Sequence, residues 1–366
     1  MRSFSTHFAR HLPHDSPLPS LAAEARRLDR FVPPFRFTTF FAPEDTLLCA
    51  IAAEAALRGP LGRTGAPTTD DVRDVHIVEL TTGSGLVGLR LLDLEPRATL
   101  FGVDIDHGAP RVARANATRL GLDARARFER ASIWEEVLER RLRNERIDLL
   151  VCNPPYIPEP PGGPLPLEAG AGADGAAHVR RVIELADALR PTALALSWCS
   201  LSDPAGVVAA AERAGYRLDS LHAVVIGDGE YSGVVHRYLR TLPTAFLSED
   251  PDVVAEIAPD GAARFAYVLL AGVFVDGRAP LARGRRRPWA GDAAHVVDRL
   301  VRDFVRHGTA ALAAAAVPFP LAAWVLDRWD EIALRAFLHG ALDQGSLAGG
   351  PARGAPRAGP PAPRAG

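Results

Sequence analysis

The sequence predicts an α/β fold: a seven-stranded, mostly parallel sheet with helices on both faces, plus a C-terminal helical extension. Three observations lead there. Short apolar runs alternate with segments of helical period through the middle of the chain, the mark of βαβ units around a parallel sheet. The first of those runs passes through a glycine turn straight into a helix, between Val78 and Gly88. The chain has 366 residues, 48% hydrophobic and 23% charged, a balance able to bury a large core.

Taken in order, residues 1–37 are rich in Pro, Arg and His and read as a loosely structured lead-in. From Asp45 to Leu57 apolar residues recur at helical spacing, and the helix ends near Gly59-Pro60. Gly62 to Thr69 is a Gly/Pro/Thr linker. Strands are expected at His76–Leu80, Thr99–Val103, Ala126–Arg130, Ile147–Cys152, Thr192–Trp198, Arg217–Ile226 and Phe265–Phe274. Helices fill most of the gaps, notably Leu86–Leu94, Gly108–Leu120, Ala176–Ala188 and Pro204–Ala214. These elements make residues 38–277 one α/β domain. A different segment, 278–344, opens with Arg283-Gly-Arg-Arg-Arg-Pro288 and continues through a helix at Ala293–His307, an Ala-rich stretch and a helix around Leu326–Leu342. Residues 345–366 are almost all Gly, Ala, Pro or Arg, too poor in apolar area to offset ordering entropy, and are expected to be disordered.

Charge and cysteine content exclude several classes. Formal net charge is −2 and the pI about 6.6, so no whole-chain pull toward nucleic acid or acidic membranes is expected. All 42 basic residues are Arg, which with abundant Ala, Gly and Pro suits a GC-rich genome. Cys49, Cys152 and Cys199 are far apart, form no C-x-x-C pair and lie in apolar stretches, as reduced, buried thiols of a cytoplasmic protein do. Met1 to Leu21 lacks a continuous apolar run, so no signal peptide is expected. Thr309 to Leu326 is an 18-residue apolar run, but Pro318 and Pro320 interrupt it. It reads as a helix pair rather than a membrane span.

The glycine turn carries the first functional signal. In Val78-Glu-Leu-Thr-Thr-Gly-Ser-Gly-Leu-Val-Gly88, Gly83 and Gly85 let the backbone bend at the strand's carboxyl end and approach a ligand. Gly88 lets the following helix pack close to the sheet. The second strand ends at Asp104, 21 residues beyond Gly83, near the ~20-residue spacing at which an acid reaches a ribose hydroxyl. The alternative is that Asp104 caps the helix that follows. A dinucleotide and a nucleoside cofactor both fit these residues. Glu79 tilts the reading toward the nucleoside, because a carboxylate there suits a cationic amino-acid group better than a pyrophosphate. The lysine of a P-loop is absent.

The second signal is Asn153-Pro154-Pro155-Tyr156 at the end of the fourth strand, where ligands of open α/β sheets bind. The prolines fix the backbone and remove two N–H donors, leaving carbonyls as acceptors. The Asn153 amide oxygen and the Pro154 carbonyl can each accept one hydrogen of a substrate NH2, and Tyr156 offers a face for stacking. An amide or adenine nitrogen is a poor nucleophile, so two acceptors that hold its hydrogens align it and favour the cationic transition state. No metal is required. The plain alternative is a rigid Pro-Pro turn leaving a strand.

Together these motifs resemble class I S-adenosylmethionine-dependent methyltransferases, with a Rossmann-like sheet, and within them the release-factor glutamine methyltransferases. Phe41-Ala-Pro-Glu-Asp-Thr-Leu-Leu48, Val78 to Val87 and Asp148-Leu-Leu-Val-Cys-Asn-Pro-Pro-Tyr156 are similar to that family's leading helix, glycine loop and catalytic strand, over about residues 38–230. The resemblance implies S-adenosylmethionine as cofactor, with Glu79, Thr81, Gly83 and Gly85 along its methionine moiety. It further implies Asp104 on the ribose, Ser132 and Ile133 beside the adenine, and Asn153 to Tyr156 on the acceptor amide, with Asn153 also reaching the cofactor. The implied partner is a protein substrate with a release-factor-like loop. The same geometry on an adenine or guanine amine of RNA or DNA, an amide of a small natural product, and a non-catalytic binding module remain as alternatives. The chain departs from the family at Thr81, where a glycine is usual, and at Ser132, where an Asp usually faces the adenine amine. The family's separate N-terminal helical domain is not expected here.

Other features carry less. His178 and Asp203-Pro204 are read as surface or capping residues. Gly227 to Gly233 is either a substrate lid or a connecting loop. Arg285, Arg286 and Arg287 are read as a solvated linker, with an RNA contact as the alternative.

Overall fold

The computed structural model describes residues 16–25, 42–61, 74–278, 289–328 and 334. The lead-in before Ser16, the linker, the arginine cluster at 285–287 and the tail from 345 lie outside them, as does most of the helix expected around 326–342. Along the described chain α1 (Pro43–Arg58) precedes β1 (Val75–Leu80), α2 (Leu86–Leu94), β2 (Ala98–Asp104), α3 (Ala109–Leu120) and β3 (Ala126–Arg130). Then come α4 (Glu136–Leu142), β4 (Leu149–Cys152), α5 (Ala177–Leu189), β5 (Ala193–Cys199), α6 (Pro204–Arg213) and β6 (Tyr216–Gly227). The chain continues through α7 (Pro251–Ile257), β7 (Ala266–Asp276), α8 (Ala293–His307) and β8 (Leu321–Val325).

The strands form one eight-stranded sheet in the order β3-β2-β1-β4-β5-β7-β6-β8, with β7 alone reversed. From β1 the chain moves outward to β3, then crosses back to β4 and proceeds the other way. Right-handed crossovers therefore put α2 and α3 on one face and α4 and α5 on the other. α1 packs against α2, whereas α4, α5, α6 and α8 pack in succession. Strands β4, β5 and β7 are buried at every residue, as a sheet covered on both faces requires. The register brings the site's strand tips level. Leu80 lies opposite Val103 on one side and Cys152 on the other, and Val103 opposite Glu129. The loops leaving β1, β2, β3 and β4 thus open at one height, where the strand order reverses.

The expected strands and main helices are present with ends moved by a few residues. The C-terminal segment differs. Pro318 and Pro320 stop the Ala-rich run after a short helical turn, Thr309–Ala313, and the chain then pairs as β8 alongside β6. Pro320, lacking an N–H, sits just before the strand, where its carbonyl accepts from Leu221. The helix pair expected between Thr309 and Leu326 is therefore a turn and a strand, and the sheet has eight strands rather than seven. α8 buries Val296, Val297, Leu300, Val301 and Phe304 at helical spacing, against α6. Among the described residues no helix is long and apolar enough to cross a membrane.

Candidate active site

The turn after β1 contains three left-handed residues, Thr81 (φ 55°), Gly83 (φ 52°) and Gly85 (φ 76°). Glycine adopts that region freely, while for Thr81 it costs about 1–2 kcal/mol. Thr81 is stabilised there by its hydroxyl, which donates to the Leu80 carbonyl at 2.6 Å and meets the Asn153 carbonyl at 3.1 Å. Thr81 thus ties the glycine loop to the β4 loop. Gly88 is needed for close packing, because a Cβ there would lie 2.6 Å from both Glu79 Oε2 and the Leu100 side chain. Its N–H donates to Glu79 Oε1 at 3.2 Å, and Thr82 Oγ1 donates to Glu79 Oε2 at 2.5 Å. Burial pushes the Glu79 carboxyl up to about 7 against the pull of those two donors.

Asp104 braces the same turn. Its carboxylate accepts from the Gly83 N–H at 2.8 Å and the Asp106 N–H at 2.9 Å, and burial raises its pKa. It does not cap α3. The bond at that helix's start runs from the Gly108 N–H to Asp106, at 2.5 Å.

Around these groups lies a cavity of about 320 Å³, within the range of small-molecule sites. Glu79, Thr81, Gly83, Asp104, Ser132, Ile133 and Asn153 all line it. Gly85 does not. A Cβ on Gly85 would meet Ala113, Leu89 and Phe128, so this glycine serves packing behind the turn. The Ser132 hydroxyl accepts from the Trp134 N–H at 3.2 Å, a local turn bond, and Ile133 is buried. The sequence reading missed Trp134 and His178 in the wall of this cavity. His178, expected at the surface, instead has its ring edge-on to Trp134 at 5.6 Å and its Nδ1 buried without a partner among the described residues. No local pattern marks it, because the fold brings it to the cavity from the first turn of α5.

Asn153, Pro155 and Glu168 form the wall shared with a second cavity of about 800 Å³, which Pro154 and Tyr156 also line. Asn153 Oδ1 is buried and accepts from nothing among the described residues. Tyr156 is only 6% exposed, and its hydroxyl bonds the Asp45 side chain at the start of α1. Burial holds that phenol well above its usual range. The expected stacking ring is thus also a strut between β4 and α1. Carboxylates dominate the titratable lining: Glu44, Asp45, Glu168, Asp228 and Glu230 against Arg264 and Arg328. Residues 227–232 form one wall. Asp228 anchors them through Arg264, at 2.8 and 3.0 Å, and Glu230–Val234 form a short helix, so the segment is a braced connection rather than an open loop.

Residues 67–159 match the family model of the methyltransferase small domain. The tRNA1(Val) (adenine(37)-N6)-methyltransferase of Porphyromonas gingivalis is 37% identical over 82 residues, 22% of this chain and 32% of its own. The release factor glutamine methyltransferase of Rhodospirillum rubrum is 45% identical over 83 residues, 23% of this chain and 24% of its own. The ribosomal protein uL3 glutamine methyltransferase of Bradyrhizobium diazoefficiens is 34% identical over 116 residues, 30% of this chain and 35% of its own. The chain thus spans about a third or less of the length of these relatives. The matched segment, residues 67–159, supplies the glycine loop, Asp104 and Asn153 to Tyr156, so the site's residues lie within the part of the chain that is similar to the methyltransferase small domain.

Proposed function

We propose that the protein is an S-adenosylmethionine-dependent N-methyltransferase whose acceptor is the side-chain amide of a glutamine in a protein loop. One observation carries the reading: Asn153 lines both cavities, and its Oδ1 is a buried acceptor without a partner among the described residues. A buried amide oxygen left unbonded costs about 1–3 kcal/mol, so its natural complement is a donor brought by a ligand.

The residues of the smaller cavity fit the cofactor. A Cβ built on Gly83 would meet nothing within 4 Å, so the loop leaves open space for close approach. Asp104 would accept from the ribose hydroxyls, and Glu79 would face the cationic amino group. When bound, S-adenosylmethionine would supply an electrophilic methyl: the N–C bond would form as the S–C bond breaks, and the nitrogen would then shed one proton to solvent. Asn153 Oδ1 and the Pro154 carbonyl hold the two amide hydrogens, orienting the nitrogen lone pair toward the methyl. Both acceptors stabilise the nitrogen more as it becomes positive, which is how they act on the chemical step. The packed Asn153-Pro-Pro-Tyr156 turn, braced by Thr81 and Asp45, keeps them in place.

The carboxylate-rich acceptor cavity favours a neutral amide over a phosphate-bearing polymer. Two of the relatives described above are named for glutamine and one for adenine. A second reading therefore keeps the NH2 geometry and places it on an RNA adenine.

The test is transfer of labelled methyl to a fractionated cell extract. Label is expected on glutamine in protein; label confined to RNA supports the second reading, and label in small molecules alone overturns both. With the acceptor in hand, Asn153→Ala is expected to lower kcat by about 10²–10³ with little change in KM. Near-normal turnover of that variant reduces Asn153 to a turn residue.

A further inference from the structure

Resting on the proposed cofactor, the geometry points to His178 as the residue that reads the amine edge of the adenine. The cavity's layout sets where the base lies. Asp104 marks the ribose at the tip of β2, and Asn153 marks the methyl at the tip of β4. The base and the sulfur-bearing chain leave from opposite ends of the ribose ring, so the base lies away from Asn153, toward the β3 tip. The wall there is Ala131 to Trp134 together with His178.

The Ser132 hydroxyl already accepts from the Trp134 N–H at 3.2 Å, so a wall acceptor that lacks any such bond is the better match for a donor on the base. His178 stands in the same cavity wall, and its Nδ1 is buried and unbonded among the described residues. The ring is held from two directions. Trp134 packs edge-on against it at 5.6 Å, and one turn further along α5 the Arg181 Nε donates to the Ile133 carbonyl at 3.0 Å. Positions 178 and 181 share a helix face, so this bond docks the His178 face of α5 onto the loop beside the base. Burial lowers the His178 pKa, which leaves the ring neutral at neutral pH with one nitrogen able to accept. The adenine amine is the donor that satisfies it.

The experiment compares S-adenosylhomocysteine with its inosine analogue, in which a carbonyl oxygen replaces the amine and the neighbouring ring nitrogen gains a hydrogen. Binding of both to the full chain is measured by calorimetry at pH 7.5. The wild type is expected to prefer the adenine compound by about tenfold or more, as a site built around one donor does. His178→Phe, which keeps a ring against Trp134, is expected to reduce that preference to about twofold or less. His178→Asn, which returns a polar atom near the Nδ1 position, is expected to restore part of it. A ratio unchanged in His178→Phe overturns the assignment while leaving the cofactor reading intact. A wild type that binds neither compound overturns both.

Discussion

Glu79 shows how one buried side chain links stability to ligand binding. Its carboxyl is pushed from an ordinary 4.5 up to about 7 by burial, with Thr82 and the Gly88 N–H opposing. A raised folded-state pKa favours the fold while the group is protonated. That contribution is complete below about pH 4.5 and is lost as pH rises through about 7. A ligand ammonium in the cavity reverses the preference, because it favours the carboxylate. Binding of S-adenosylhomocysteine at pH 6.5 is therefore expected to release a substantial fraction of a proton from Glu79. Calorimetry in two buffers of different ionisation enthalpy measures it, and Glu79→Gln is expected to abolish that fraction. Equal release by wild type and variant would mean that the carboxylate does not meet the ammonium. Glu79, Asp104 and Asn153 were legible in the sequence because a strand end fixes where the next residue points. His178 and Trp134 were not, because their meeting depends on how α5 docks beside the β3 loop.

Among the elements, β8 is the one that local sequence misassigned. Its run is rich in Ala and favours helix by propensity. The unpaired edge of β6, with backbone donors and acceptors that need partners, outweighs that preference once two prolines have stopped the helix. The strand is held by a stack between His222 on β6 and Trp324 on β8, 6.0 Å between centroids and 8° from parallel. Neither ring nitrogen of His222 has a hydrogen-bond partner among the described residues, and burial lowers its pKa to about 4. The sign is opposite to that of Glu79: stability is full above pH 6.5 and is lost as pH falls toward 4. Thermal melts from pH 7.5 to 4.5 are expected to show a steep acid loss in the wild type. His222→Phe, which keeps the stack without a titrating group, should flatten that limb. Equal acid sensitivity in both would remove His222 as its cause.

At the scale of the molecule, one sheet carries both cavities and joins the segment after residue 278 to the rest, so the chain up to β8 is expected to melt as one unit. The tail from Gly345 lies outside the described residues, and its expectation rests on composition alone. A chain ending at Gln344 is expected to keep its melting temperature and its affinity for S-adenosylhomocysteine. A fall of several degrees would show that the tail docks on the folded part.

By itself the sequence determined the parallel core, the glycine loop, the acid at the tip of β2 and the Asn153-Pro-Pro-Tyr156 turn. Each is a local pattern whose geometry follows from strand period, proline and glycine. Tertiary structure alone decided that Thr81 bonds the β4 loop, that Gly85 packs behind the turn and that Tyr156 braces α1. It also decided that β8 completes the sheet, and that His178 joins Ser132 in the wall of the smaller cavity. These outcomes depend on contacts between residues far apart in the chain, and no local spacing encodes which side chains a closed sheet will bring together.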